Sequence, residues 1–338
     1  MATADVKVQE RLAPAEPSQL AVTWKRFRKH RLGVVGLYSL IIIILACVFV
    51  PIIMQATTGM TYETIDDQAL LPEIVNGNVT STKPMFYTTS LATHILGTND
   101  VGRDVFARLF YAGRISLAVG VITTIIIVLL GGLVGALAGF YGGWVDTLLM
   151  RFVDLMLAIP TLPILLIASK MLAQSQVMDK MFGRGLGSVV TIIIVLSAFG
   201  WMGVSRLVRG SILSLRSLDF VEATKALGAN NRRIIMKHLL PNSFAPIIVA
   251  ATLGVGDFII SESALSFLGL GIRDPTPSWG NMLEGAREYM QFITNLNPFE
   301  EIRGYLVLFP GIMILLTVLS INFMGDALRD ALDPRLKM

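Results

Sequence analysis

Charged residues are scarce in this chain of 338 residues. Asp, Glu, Lys and Arg make up 15% of the sequence and hydrophobic residues make up 54%, whereas about 25% of an ordinary soluble chain is charged. So little charge cannot cover the surface of a globule of this size. The composition therefore excludes an ordinary soluble domain and predicts an all-α integral membrane protein.

Residues that carry enzymatic chemistry are also few. The single cysteine, Cys47, excludes an internal disulfide. The three histidines, His30, His94 and His238, are too far apart in the sequence to suggest a metal cluster or a nucleophile–base pair. A phosphate-binding G-x-x-x-x-G-K-[ST] loop does not occur in the sequence. We therefore predict no catalytic residues, no metal and no cofactor, and expect another subunit or an ion gradient to supply energy.

Long apolar runs, in contrast, are abundant. A helix needs ~20 apolar residues to cross a hydrocarbon layer of ~30 Å, and four uncharged runs and two charge-interrupted runs meet this length. They predict six transmembrane helices at 32–54, 115–140, 153–171, 185–205, 243–269 and 305–325.

Lys and Arg flank these spans unevenly. The segment 1–31 and the loop 206–242 hold seven each, whereas the longer loop 55–114 holds four. Since Lys and Arg resist translocation, the first two segments are predicted to be cytoplasmic. Four spans separate them, and this even number agrees with the prediction. The net charge of +4 follows from this distribution and gives no reason to expect a nucleic-acid partner.

One polar, basic segment, 219–241, lies between two apolar spans. Asp219 and Glu222 have capping-box spacing and predict the start of a short helix, which Gly228 is predicted to end in the left-handed conformation. Asn230 or Asn231 is then predicted to cap a second helix. That helix has a narrow apolar face, and Pro241 is predicted to close it. The apolar face consists of Ile234, Ile235 and Leu239.

This spacing resembles the EAA loop in the membrane subunits of bacterial ATP-binding-cassette importers. In that family Glu-Ala-Ala is followed after three residues by Gly and after nine more by Ile-x-Leu-Pro. Two positions depart from the pattern: Thr224 replaces the second Ala, and His238 puts a polar ring where Ile is expected. The family's loop docks as a coupling helix on a separate ATPase subunit. The resemblance therefore implies a coupling loop at 215–241 with these coupling residues: Asp219, Glu222, Ala223, Gly228, Ala229, Leu240 and Pro241.

Longer stretches resemble one branch of this family, the permeases for di- and oligopeptides and nickel. The loop after the first helix and the C-terminal tail are similar to those of the second of two paired permeases. The resemblance implies a type I ATP-binding-cassette importer permease in a bacterial inner membrane, with both termini cytoplasmic. Its implied partners are a homologous permease, two ATPase subunits or domains that bind ATP and Mg²⁺, an extracytoplasmic solute-binding protein and membrane lipid. The similar stretches are 24–50, 94–117, 262–283 and 322–336.

These observations divide the chain into five parts. A disordered cytoplasmic tail is predicted first, followed by an amphipathic segment with the first transmembrane helix and by an extracytoplasmic loop. The permease core, which contains the coupling loop, and a cytoplasmic tail complete the chain. In order, the five parts are 1–22, 23–54, 55–114, 115–325 and 326–338.

Two carboxylates lie in the predicted fifth span, Asp257 and Glu262. Their spacing puts them about 140° apart around a helix, and a carboxylate facing lipid costs at least ~2.5 kcal/mol. Each should therefore face the bundle, the partner or water. We consider Asp257, Glu262 and Ser266 as candidate residues of the translocation pathway. Glu262 fits either an external gate or a helix-packing hydrogen bond, and Asp257 fits either the cavity lining or a buried structural pair.

Small residues at 131, 135 and 139 predict close helix packing, either within the subunit or with the partner. Pro160 and Pro163 predict a kink in the third span. The alternative function is an ion-coupled secondary transporter or channel. That function predicts inverted repeats with broken helices and several charges at mid-membrane, and such a repeat is not evident. The sequence favours an importer subunit for peptides, as its resemblance implies, but does not identify the peptide.

Overall fold

A computed structural model describes residues 19–65, 70–75, 78–84, 94–99, 101–287 and 305–332. Within these ranges the secondary structure is mainly helical, as predicted, and the loop after the first span also contains one antiparallel hairpin. The hairpin was not predicted. Its strands are β1 (Leu70–Val75) and β2 (Asn78–Pro84).

Between Val105 and Phe267 the helices follow one another with short connections, whereas the connections before Val105 and after Phe267 are longer. In chain order they are α1 (Gln19–Phe27), α2 (Arg31–Thr58), α3 (Val105–Tyr141), α4 (Gly143–Ala158), α5 (Thr161–Ser175), α6 (Val177–Phe182), α7 (Arg184–Leu215), α8 (Asp219–Ala226), α9 (Asn231–Arg233), α10 (Leu240–Asn242), α11 (Phe244–Phe267), α12 (Trp279–Gly285) and α13 (Tyr305–Leu332). A π-helical turn, Ile234–Leu239, joins α9 to α10.

In the part of the chain that the structure describes, five helices are long and apolar enough to cross a membrane by themselves: α2, α3, α7, α11 and α13. The third predicted span is instead broken, because α4 and α5 meet at a bend of 87°. Ile159 is extended (φ −79°, ψ 129°), the conformation favoured before proline, and Pro160 cannot donate the next helical hydrogen bond. Pro163 lies in the first turn of α5, where a missing N–H is tolerated. The predicted kink is therefore confirmed at Pro160, and it is sharp enough to divide the third span into two helices.

Close contact between α3 and α7 shows that the bent pair crosses the membrane. A Cβ atom on Gly131 would lie 2.9 Å from the Cβ of Val204, and one on Gly139 would lie 2.9 Å from the Cβ of Ile212. The residue numbers of the contacting positions increase together along both helices, so α3 and α7 are parallel. The pair α4–α5 must then return the chain across the bilayer, which gives six crossings among the described helices. The same contacts assign the small residues at 131–139 to packing within the subunit.

The other contacts are antiparallel and fix which segments share a side. Ser116 of α3 bonds to Glu262 of α11, and Ser39 of α2 bonds to Ser320 of α13. Phe27 of α1 packs against the end of α13. Consequently α1, the coupling loop and the end of α13 lie on one side of the bundle, whereas α6 and α12 lie on the other. The described part of the N-terminal basic segment and the basic coupling loop thus share a side.

Several helices extend beyond the predicted boundaries. The loop 55–114 contains the end of α2 and the start of α3, and α13 continues through 326–332. Hydropathy marks only the hydrocarbon part of a helix, so polar extensions escape it. Asp104 begins α3 by accepting a hydrogen bond from the N–H of Ala107 at 2.6 Å. Helix α1 includes 19–22 of the predicted tail, and residues 1–18 and 333–338 lie outside the described residues.

Candidate functional site

The first helix of the coupling loop begins one residue earlier than a capping box at Asp219 requires. Leu218 is extended and occupies the N-cap position, and its carbonyl accepts the N–H of Val221 at 2.9 Å. Asp219 is already helical, so its side chain does not cap the helix, and the predicted capping box is wrong. Asp219 and Glu222 instead lie in the first turn, where negative charge interacts favourably with the helix dipole.

The turn between the two helices follows the prediction. Gly228 has φ +77°, its N–H donates to Lys225 O at 2.9 Å, and the N–H of Ala229 donates to Thr224 O at 3.2 Å. This pair of bonds ends the helix with a left-handed residue. Of the two candidate caps for the next helix, Asn230 is the one used, since its Oδ1 accepts the N–H of Arg233 at 2.9 Å.

Pro241 does not close the second helix, contrary to the prediction. The helical chain passes through Pro241 and reaches Asn242. Pro241 lies in the first turn of α10, directly after the wide π-helical turn, where its missing N–H is tolerated. The amide of Asn242 donates to His238 O at 2.6 Å, so a side chain adds a local hydrogen bond at this break.

One face of the coupling loop is buried against the bundle. The predicted apolar face is confirmed, and Val221 of α8, which was not predicted, joins it. These side chains pack against Ala136 of α3 and against Val208 and Ile212 of α7. The loop is thus a fixed part of the helical body. The buried loop residues are Val221, Ile234, Ile235 and Leu239.

The opposite face of the loop is open. Glu222, Ala223 and Gly228 are exposed, and Leu227 is 89% exposed. Leu227 follows Val221 by six positions, about 240° around the helix, so it must point away from the buried face. This spacing could have identified Leu227 from the sequence. Exposed apolar side chains that lie beside charged ones are typical of an interaction site.

Polar contacts tie the base of the loop to neighbouring helices. Arg209 near the end of α7 donates two hydrogen bonds to Asp146 of α4, at 2.5 and 2.6 Å. Arg216 donates to Gly139 O of α3 at 3.0 Å. Sequence reasoning did not find these contacts, because the partners are more than 60 residues apart. They join the coupling loop to the connection between α3 and α4.

The structure brings two of the candidate pathway residues together. Glu262 is fully buried and accepts hydrogen bonds from Ser266 Oγ at 2.7 Å and from Ser116 Oγ at 3.1 Å. Ser266 also accepts the N–H of Ile272 at 3.1 Å, and Ser116 accepts the N–H of Trp279 at 3.2 Å. These contacts hold the loop after α11, together with α12, against α3. They support the packing role for Glu262.

Asp257 lies apart from this cluster. It is exposed on another face of α11, and the described part of the chain provides no ion pair for it. The buried structural pair considered for Asp257 is therefore not formed among those residues. Its place in a translocation pathway stays a prediction. Leu240 and Ala229 of the coupling loop are partly buried, whereas Pro241 is exposed.

These features define a multi-pass membrane protein that presents a fixed helical loop on one side of the bilayer. Residues 131–338 match the family described as binding-protein-dependent transport system inner membrane component. Residues 18–72 match the N-terminal transmembrane domain of oligopeptide transport permease C. The chain belongs to this family of transport permeases.

Relatives with assigned names cover most of the chain. A dipeptide transport system permease protein DppC of Alkalihalophilus pseudofirmus is 37% identical, over 96% of this chain and 94% of its own. An oligopeptide transport system permease protein OppC of Bacillus subtilis is 32% identical, over 93% and 90%. A glutathione transport system permease protein GsiD of Pectobacterium atrosepticum is 38% identical, over 73% and 74%. The sequence resemblance to this branch is confirmed.

Proposed function

We propose that this chain is the permease subunit of an ATP-driven importer, and that it forms half of the pathway for di- or oligopeptides. The names of the similar dipeptide and oligopeptide permeases support the substrate class. The observation that carries the proposal is the coupling loop, which is buried on one face and exposes Leu227 and Glu222 on the other. Its partners are a homologous permease, two ATPase subunits or domains, and an extracytoplasmic binding protein.

In this function the chain itself is not catalytic. ATP and Mg²⁺ are bound by the ATPase partners, and this chain converts their movement into alternating access. Because Val221, Ile234 and Leu239 are packed against α3 and α7, a displacement at Leu227 moves the ends of those helices with it. The Arg209–Asp146 contact passes the same displacement to α4. The coupling loop and both termini are cytoplasmic, in a bacterial inner membrane.

A charge introduced at the tip of the loop tests the docking. Leu227→Glu should weaken association with the ATPase subunit at least tenfold, because burying a leucine side chain contributes about 1.5–3 kcal/mol. Since Leu227 is 89% exposed, thermal unfolding of the permease should not change. Thr57→Glu, on the opposite side of the membrane, is the control. Copurification of the ATPase with each variant is measured, and undiminished copurification with Leu227→Glu contradicts the proposal.

A second measurement separates this function from ion-coupled transport. The purified complex is reconstituted in vesicles without an ion gradient, and peptide uptake is followed with and without ATP. Uptake should require ATP and the binding protein. Uptake that needs an ion gradient but no ATP would instead favour the secondary transporter.

A further inference from the structure

A crevice between α2 and α3 has no part in the coupling loop or in the Glu262 cluster. The two helices cross closely, since a Cβ on Gly113 would lie 3.4 Å from the Cβ of Cys47. The first half of α2 then packs against α13, which leaves a space of about 650 Å³ beside α3. α11 and α13 also contribute to its lining. The walls include Leu40, Ile44, Val48, Leu117, Val121 and Ile125.

Arg114 lies at the end of this crevice where the helices cross. Its Nε donates to Cys47 O at 2.7 Å and its Nη2 donates to Val48 O at 2.5 Å. Cys47 O needs such a donor, because Pro51, four residues later, has no N–H. The guanidinium also lies over the ring of Tyr111, at 4.9 Å from its centroid. A guanidinium has five N–H donors, so the two bonds to α2 fix its position without using all of them.

The length of the crevice matches one leaflet of a bilayer. Arg114 and Ile125 are eleven residues apart on α3, a distance of about 16 Å, and half of a hydrocarbon core measures about 15 Å. The walls are apolar, and the hydroxyl of Thr124 is satisfied by Gly120 O at 2.8 Å. Arg114 directly precedes the uncharged run 115–140, so its cation is expected at the level of the lipid headgroups, and the apolar space lies where a lipid chain would.

We propose that this crevice binds one acyl chain of a phospholipid, and that Arg114 binds its anionic headgroup. A helix of a partner permease would fill the apolar space but would leave the charge of Arg114 without a complement. Phosphatidylglycerol should bind better than phosphatidylcholine, whose phosphate is offset by its own cation. The inference goes beyond peptide transport and requires only that the chain spans a membrane.

Tryptophan reporters on α2 test this site in the purified complex. Ile44 lines the crevice and is 41% exposed, whereas Ile42 lies outside it and is 65% exposed. The two positions differ in depth by only about 3 Å and face directions about 160° apart. Ile44→Trp and Ile42→Trp are placed in phosphatidylcholine vesicles that contain a small fraction of chain-brominated phosphatidylglycerol or chain-brominated phosphatidylcholine. The emission of the parent protein is subtracted.

Brominated phosphatidylglycerol should associate with the Ile44→Trp reporter roughly fivefold more strongly than brominated phosphatidylcholine, as one basic residue at a membrane surface allows. Ile42→Trp should be quenched equally by both. Arg114→Gln should abolish the preference and Arg114→Lys should keep it. If Arg114→Gln does not fold, the contrast between the two reporters still decides. The proposal is overturned if Ile44→Trp is not quenched, which is the result expected when a partner helix fills the crevice. It is also overturned if both lipids quench Ile44→Trp equally.

Discussion

At the scale of single residues, Gly228 determines the path of the coupling loop. Its φ of +77° lies in the left-handed region, where a β-carbon is penalised by about 1–2 kcal/mol. A Cβ at this position would meet nothing within 4 Å. A larger side chain therefore acts through the backbone conformation alone, without a clash. Residues that resist positive φ can thus be compared with residues that adopt it readily.

We expect Gly228→Val to reduce transport severalfold while the protein still inserts in the membrane, because a β-branched residue resists positive φ and should tilt α8 against α9. Gly228→Asn should keep most of the activity, since Asn adopts the left-handed conformation readily. Peptide uptake and substrate-stimulated ATPase activity are measured in reconstituted vesicles. An equal loss in both variants would show that an added side chain, and not the backbone conformation, disturbs docking.

Glu262 makes a different prediction at this scale. Glu262→Ala would leave the hydroxyls of Ser116 and Ser266 without their acceptor, at roughly 1–3 kcal/mol for each unsatisfied group. We expect a lower midpoint of thermal unfolding. Ser261→Ala, in which the lost hydroxyl bonds to Asp257 O near the surface, is the matched control. Equal midpoints for the two variants would contradict the packing role.

Glu262→Gln distinguishes packing from gating, because it keeps the size of the side chain and one acceptor oxygen. If Glu262 only packs helices, the midpoint of thermal unfolding of Glu262→Gln should lie closer to that of the parent than the midpoint of Glu262→Ala does. Transport by Glu262→Gln should then be retained. A loss of transport without a loss of stability would indicate a gating role. Both quantities are measured on the same purified sample.

At the scale of helices, local features were predicted better than the packing between helices. The 3.6-residue pattern identified Ile234, Ile235 and Leu239 as a buried face, and Pro160 identified the bend in the third span. The angle of 87° depends on packing and could not be predicted. Val221 was missed because α8 is short and shows no repeated apolar position. Contacts such as Arg209 with Asp146, 63 residues apart, need the fold itself.

Packing between α3 and α7 gives the prediction at this scale. A Cβ on Gly135 would lie 2.9 Å from the Cβ of Val208, whereas one on Gly132 would meet nothing within 4 Å. Gly135→Ala should therefore separate the helices and lower the midpoint of thermal unfolding. Gly132→Ala should be neutral or stabilising by up to ~1 kcal/mol through helix propensity. Similar midpoints for the two variants would mean that the α3–α7 contact is looser than described.

At the scale of the whole molecule, two independent arguments give the same topology. The distribution of Lys and Arg requires an even number of crossings between the N-terminal segment and the coupling loop. The parallel packing of α3 and α7 requires that the bent pair α4–α5 crosses once between them. Helices α2, α3 and α7 supply three crossings, so the bent pair supplies the fourth. A re-entrant α4–α5 pair would violate both arguments.

Accessible cysteines test this topology directly. In a Cys47→Ala background, Thr57→Cys follows the membrane part of α2 and Ser217→Cys precedes α8, and both positions are exposed. An impermeant maleimide added to intact cells should label Thr57→Cys, and should label Ser217→Cys only after the membrane is opened. The reverse pattern would place the coupling loop outside the cell, where no ATPase could reach it. Labelling of both in intact cells would put the two positions on one side of the membrane, so one crossing between them would not exist. The bent pair α4–α5 would then be re-entrant, because α3 and α7 are each a single continuous helix.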